Sequence, residues 1–110
     1  MQANIRILEP SGIFDGTQAE SFRQAVDHAI AEGVEIILID LQDITFIDSS
    51  GLGILVVVMK KMRELQKTLY VCSVSEQVRM LFELTSMDRV FEVLPDRAAF
   101  EARVADASNV

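Results

Sequence analysis

At 110 residues, half of them hydrophobic, the chain has the length and apolar content of one compact domain with its own core. A formal charge of −7 argues against a nucleic-acid ligand, which needs clustered Lys and Arg to release counterions, and favours a protein partner carrying basic residues. The single cysteine, Cys72, excludes an internal disulfide. The start Met1-Gln2-Ala3-Asn4-Ile5-Arg6 lacks the regions of a secretory signal and no apolar run is long enough to span a bilayer, so a cytoplasmic location without membrane insertion is expected.

Ile5 to Leu8 reads as a short strand that stops at Glu9-Pro10, because proline has no ladder donor and biases its predecessor toward extended backbone. Asp15-Gly16 is a turn into Thr17-Gln18-Ala19-Glu20, a capping box in which Thr17 and Glu20 satisfy each other's orphan amides. Ala19, Phe22, Val26, Ala29 and Ile30 recur at helical spacing, and Gly33 is the expected stop. Ile36 to Ile39 is continuously apolar, as suits a strand covered on both faces. A further buried strand ends at Ile47, after which the chain turns at Asp48-Ser49 and runs helical to about Lys67, with Lys60, Lys61 and Arg63 placed for a helix C-terminus. Leu69 to Val74 is another buried strand, Ser75 caps a third helix ending near Thr85, and Val90 to Leu94 is the last strand. Asp96 caps a final helix carrying Ala99, Phe100 and Val104. This alternation predicts one α/β domain over residues 3–106, a mainly parallel sheet of four to five strands with about four helices, and a flexible tail over 107–110.

The run Ile44-Thr45-Phe46-Ile47-Asp48-Ser49-Ser50-Gly51-Leu52-Gly53 sets an acid and two hydroxyls where a strand hands over to a helix. Unpaired N–H groups and a partial positive charge at a helix N-terminus favour a phosphate there. Taken alone, Ser49 reads as an N-cap or a polar turn residue, with Asp48 as the other cap candidate. Asp15 and Asp48 both sit at strand-to-helix handovers and emerge at one C-terminal edge of a parallel sheet, where ligands collect. Gly51 and Gly53 suit the close approach of a partner's backbone and helix-to-sheet packing equally. Leu52, Leu55, Val56, Met59 and Met62 form one core stripe of the second helix. Ile54, Val57, Val58 and Leu65 fall outside it, either buried under the third helix or facing a partner.

Neither a P-loop nor a dinucleotide fingerprint is present, and no cofactor or metal is expected. A serine hydrolase would need a base beside Ser49, but His28 lies roughly 16 Å along the first helix from that edge and Ile47 replaces the first Gly of Gly-x-Ser-x-Gly. His28 reads as an exposed helix residue.

The motif Asp48-Ser49-Ser50-Gly51, with Gly12-Ile13-Phe14-Asp15 and the passage Val71-Cys72-Ser73-Val74-Ser75 followed by Arg79-Met80-Leu81-Phe82, resembles the bacterial anti-sigma factor antagonists. These are the small single-domain members of the STAS family, and the resemblance covers most of the chain. It implies a STAS-type fold acting as a non-enzymatic binding module, phosphorylated on the Ser directly after the Asp, which is Ser49; Ser50 is the weaker candidate. It further implies that the unphosphorylated form binds a cytoplasmic anti-sigma serine kinase and frees a sigma factor, and that a separate serine phosphatase resets it. The implied partner face comprises Asp15, Asp48, Ser49, Ser50, Gly51, Gly53, Ile54, Val57 and Val58. Gln18 departs from the Thr usual in the family, which shifts the expected cap to Thr17. The alternative is a constitutive STAS scaffold in a larger regulatory or transport assembly, and an extra edge strand before Ile5 stays open.

Overall fold

The computed structural model describes residues 4–108. Six strands, β1 (Ile5–Leu8), β2 (Gly12–Phe14), β3 (Ile36–Asp40), β4 (Ile44–Ile47), β5 (Thr68–Cys72) and β6 (Glu92–Leu94), are interleaved with four helices, α1 (Ala19–Ala31), α2 (Ser49–Glu64), α3 (Glu76–Leu84) and α4 (Arg97–Ser108). The main sheet has the order β1-β3-β5-β6, β2 and β4 form a separate pair, and every pairing is parallel. The expected α/β domain is therefore present, with its strands divided between two sheets.

The continuous apolar run of β3 is covered on both faces. Ile37 and Ile39 join Val71 in the larger core, with Phe22 and Val26 of α1, Leu55 and Met62 of α2, and Phe82 of α3. Leu38 points the other way and meets Cys72, Leu94 and Phe100 of α4. Each large apolar side chain so removed from water contributes about 1.5–3 kcal/mol. Phe14, Ile44 and Ile47 close the larger core from the two-stranded sheet. β4 is buried only at its ends, since Thr45 and Phe46 are exposed.

The first two helices stop by one device. Gly33 (φ 85°) donates to Ile30 O and Val34 to Ala29 O, while Gln66 (φ 59°) donates to Arg63 O and Lys67 to Met62 O. Both are Schellman closures, so α2 ends at Glu64 rather than near Lys67, with Gln66 in the conformation a glycine would usually take. Left-handed backbone at Ser73 (φ 61°) likewise ends β5 at Cys72 and excludes Val74. A short 3-10 turn at Met87–Arg89 occupies the approach to the last strand, so Val90 is not in it.

The capping box is not formed. Asp15 accepts from the Thr17 amide at 2.9 Å and the Thr17 hydroxyl at 2.5 Å, closing a single 3-10 turn over Gly16–Gln18 before α1 begins. Thr17 spends its hydroxyl on Asp15, and the Gln18 amide donates back to the carbonyls of Ser11 and Ile13. Ser75 and Asp96 cap as expected, accepting from the amides of Val78 at 3.4 Å and Ala99 at 2.8 Å. Helix α4 reaches Ser108, inside the stretch read as a tail, and Asn109 and Val110 lie outside the described residues. So do Met1 to Ala3, where an added edge strand would begin; β1 is an edge of the main sheet.

Candidate functional site at the β4 to α2 junction

Parallel pairing of β2 with β4 aligns Phe14 with Ile47, so Asp15 and Asp48, each the next residue, leave the small sheet at the same edge. Asp48 has extended backbone and its Oδ1 accepts from the Gly51 amide at 2.8 Å, while its carbonyl accepts from Leu52 at 2.9 Å. Asp48 is therefore the cap of α2, and Ser49 is the first helical residue rather than the cap. Ser49 and Ser50 are both exposed, and among the described residues neither hydroxyl has a hydrogen-bond partner. The carboxylate does the capping and the two hydroxyls stay free.

Two contacts hold this junction in place. A Cβ on Gly51 would stand 2.0 Å from Phe14 O and 2.9 Å from Ile47 Cγ1, so the first turn of α2 lies directly on the ends of both strands. Gly51 is buried, and its smallness serves packing, not a partner. Gly53 is exposed with nothing within 4 Å of an added Cβ. On the other edge of β4, Gln77 of α3 accepts from the Ile47 amide at 2.9 Å and donates to the Ile47 carbonyl at 2.8 Å, acting as a one-residue surrogate strand just before Asp48. Sequence reading missed Gln77; its only sign was a polar residue beside Val78 and Leu81 on the inner side of α3.

The apolar flank of α2 needs a larger correction. Val58 is 2% exposed and Ile54 8%, whereas Val57 is 57% exposed. The covering helix is α1, not α3: a Lys61–Asp27 ion pair links α1 to α2, and Val26 joins Ile54 and Val58 in the floor of a groove of about 460 Å³ between the two helices. With the sheet on one side and α1 on another, α2 buries two flanks, which a single stripe does not anticipate.

Asp15 is held below its ordinary value of 3.8 by the Thr17 hydroxyl and then by the Thr17 amide, so this rim is anionic at neutral pH. His28 is exposed on α1, 3.3 Å from Glu32. A second acid at a strand end behaves differently. Asp40, 3% exposed, accepts from the Gln42 amide at 3.0 Å and pairs at 3.0 Å with Arg97, which also meets Glu9 at 2.9 Å. Cys72 lies beside it, and burial pushes its thiol above the ordinary value. Among the described residues no group of His, Cys, Asp and Glu is arranged to hold a metal, and no helix is long and apolar enough to cross a membrane.

The junction presents two exposed hydroxyls on the first turn of a helix, where the partial positive charge of the N-terminus favours an anion. The family model for the STAS domain matches residues 1–107. Over 84 residues the chain is 30% identical to the anti-sigma-B factor antagonist of Listeria monocytogenes, covering 76% of this chain and 73% of that protein. Its fold matches an anti-sigma factor antagonist from Mycobacterium paratuberculosis with a TM-score of 0.82, at 24% identity over 96% of this chain and 89% of that one. It also matches the anti-sigma factor antagonist SpoIIAA at 19% identity, with TM-scores of 0.75 for the unphosphorylated form (93% and 90% covered) and 0.70 for the phosphorylated Bacillus form (93% of each).

Proposed function

Because the chain belongs to the STAS domain family, we propose that it is an anti-sigma factor antagonist whose binding is switched by phosphorylation of Ser49. The observation that carries this reading is the division of labour at the junction: Asp48 caps α2, and the Ser49 hydroxyl stands exposed on the first helical residue with no hydrogen-bond partner among the described residues. In its unphosphorylated form the protein binds a cytoplasmic anti-sigma serine kinase and frees a sigma factor. ATP on the kinase then supplies the phosphate for Ser49, and a separate serine phosphatase removes it. The partner face runs over Asp15, Asp48, Ser49, Ser50, Gly53 and Val57, with Ile54 and Val58 beneath.

A phosphate adds about −1.5 to −2 charges to a rim that Asp15 and Asp48 already make acidic. Where the phosphate faces an acidic or nucleotide-phosphate-bearing part of the kinase, like unit charges ~6 Å apart at an effective dielectric near 20 repel by roughly 3 kcal/mol before screening, a hundredfold in affinity. The amides of the first turn offset the new charge within the protein itself, so the fold survives while the partner is expelled. SpoIIAA, which shares the fold, exists in unphosphorylated and phosphorylated forms.

Incubation with a purified anti-sigma serine kinase and ATP, followed by peptide mapping, tests the reading. The phosphate is expected on Ser49, absent from Ser49→Ala, and Ser49→Asp is expected to bind the kinase more weakly than wild type. Phosphate on Ser50 alone, or equal affinity for Ser49→Asp, would overturn it.

A further inference from the structure

The groove between α1 and α2 has a floor of Val26, Ile54 and Val58, and Val57 stands exposed beside it. Its volume of about 460 Å³ falls among cavities that hold ligands rather than packing defects. Two cations line it. Lys61 is already paired with Asp27, but Arg23 has no carboxylate partner among the described residues, in a chain whose net charge is −7. A guanidinium beside an apolar trough matches a carboxylate next to an aliphatic side chain, since its planar fork binds both carboxylate oxygens while the trough takes the hydrocarbon. Ser50 and Gly53 line the same groove, so it opens directly onto the first turn of α2 that carries Ser49.

From this shape and charge we infer that the groove receives an aliphatic side chain flanked by Asp or Glu from the anti-sigma kinase, with Arg23 as the counter-ion. The inference rests on the reading of Ser49 as the kinase's target, and it adds a specificity contact that the acidic rim cannot supply. The rim repels acids, whereas the groove selects one. Phosphorylation of Ser49, next in sequence to the groove-lining Ser50, then adds negative charge beside a groove that receives a carboxylate, so the switch acts on this contact as well as on the rim.

Two exposed positions separate this contact from folding. Arg23→Glu reverses the charge, and Gly53→Leu directs bulk into open space lining the groove. Titration calorimetry with the purified kinase, alongside thermal melting and Ser49 phosphorylation, is expected to show each variant folded like wild type and binding about tenfold more weakly. An Asp→Lys or Glu→Lys change on the kinase that restores binding to Arg23→Glu would identify the partner carboxylate. Unchanged affinity in both variants with full Ser49 phosphorylation overturns the groove and leaves the Ser49 reading standing. A tenfold loss with a kinase that never modifies Ser49 supports the groove and overturns that reading. Absence of binding by the wild type overturns both.

Discussion

Asp40 and Asp48 stand eight positions apart, each at the C-terminal end of a parallel strand, and they have opposite fates. Asp40 is enclosed, with both oxygens committed to the Gln42 amide and Arg97. Asp48 is half-buried and turns one oxygen to the Gly51 amide at the start of α2. The difference lies in the chain just beyond each acid. After Asp40 a loop runs on and α4 lays Arg97 over the acid, whereas after Asp48 a helix begins at once and its first two side chains, Ser49 and Ser50, face solvent. A carboxylate at a strand end becomes part of the frame when another element covers it, and part of a site when its own helix leaves neighbours outside.

Substitutions break the comparison in order of size. The largest effect is expected at Gly51, where Ala would clash with the Phe14 carbonyl and destabilise by about 3 kcal/mol, lowering Tm by roughly 15 °C. Helix propensity has the opposite sign, so Gly53→Ala, with open space around it, is expected to stabilise by about 0.5 kcal/mol. A Gly51→Ala protein as stable as wild type would show that the junction is not closely packed.

Asp40→Ala comes next. It strands the Gln42 amide and uncovers Arg97, and urea unfolding is expected to show a loss of about 2–3 kcal/mol, below the range for a wholly buried pair because Arg97 is partly exposed. Asp48→Ala is expected to cost about 1 kcal/mol for its cap, while Ser49→Ala stays within ~0.5 kcal/mol because its hydroxyl holds nothing. Equal losses at Asp48 and Ser49 would contradict the division of labour at the junction.

The smallest effect is on titration. Asp15 is held below 3.8 chiefly by the Thr17 hydroxyl, so its contribution to stability is complete above 3.8 and disappears as pH falls through the lower folded value. Thr17→Val removes that hydroxyl, and carboxyl-carbon NMR is expected to show the Asp15 midpoint rising toward 3.8. A midpoint that does not move would assign the shift to another cause.

The sequence by itself determined the alternation of strands and helices, the caps at Ser75 and Asp96, the stop at Gly33, the burial of Cys72 and the edge shared by Asp15 and Asp48. These depend on spacing of apolar residues, on local hydrogen bonds within three residues, or on parallel topology, all of which a linear reading contains. Tertiary structure decided the rest. Val58 and Ile54 are floor, not surface, because α1 lies along α2; nothing in the periodicity of one helix specifies which neighbour covers its second flank. Gln77 clamps Ile47 from 30 residues away, and Arg97 reaches Asp40 across 57. The choice between Asp48 and Ser49 as cap, and between Asp15 and Thr17, was also spatial, because neighbouring oxygens compete for the same amides and only backbone geometry determines which carboxylate arrives.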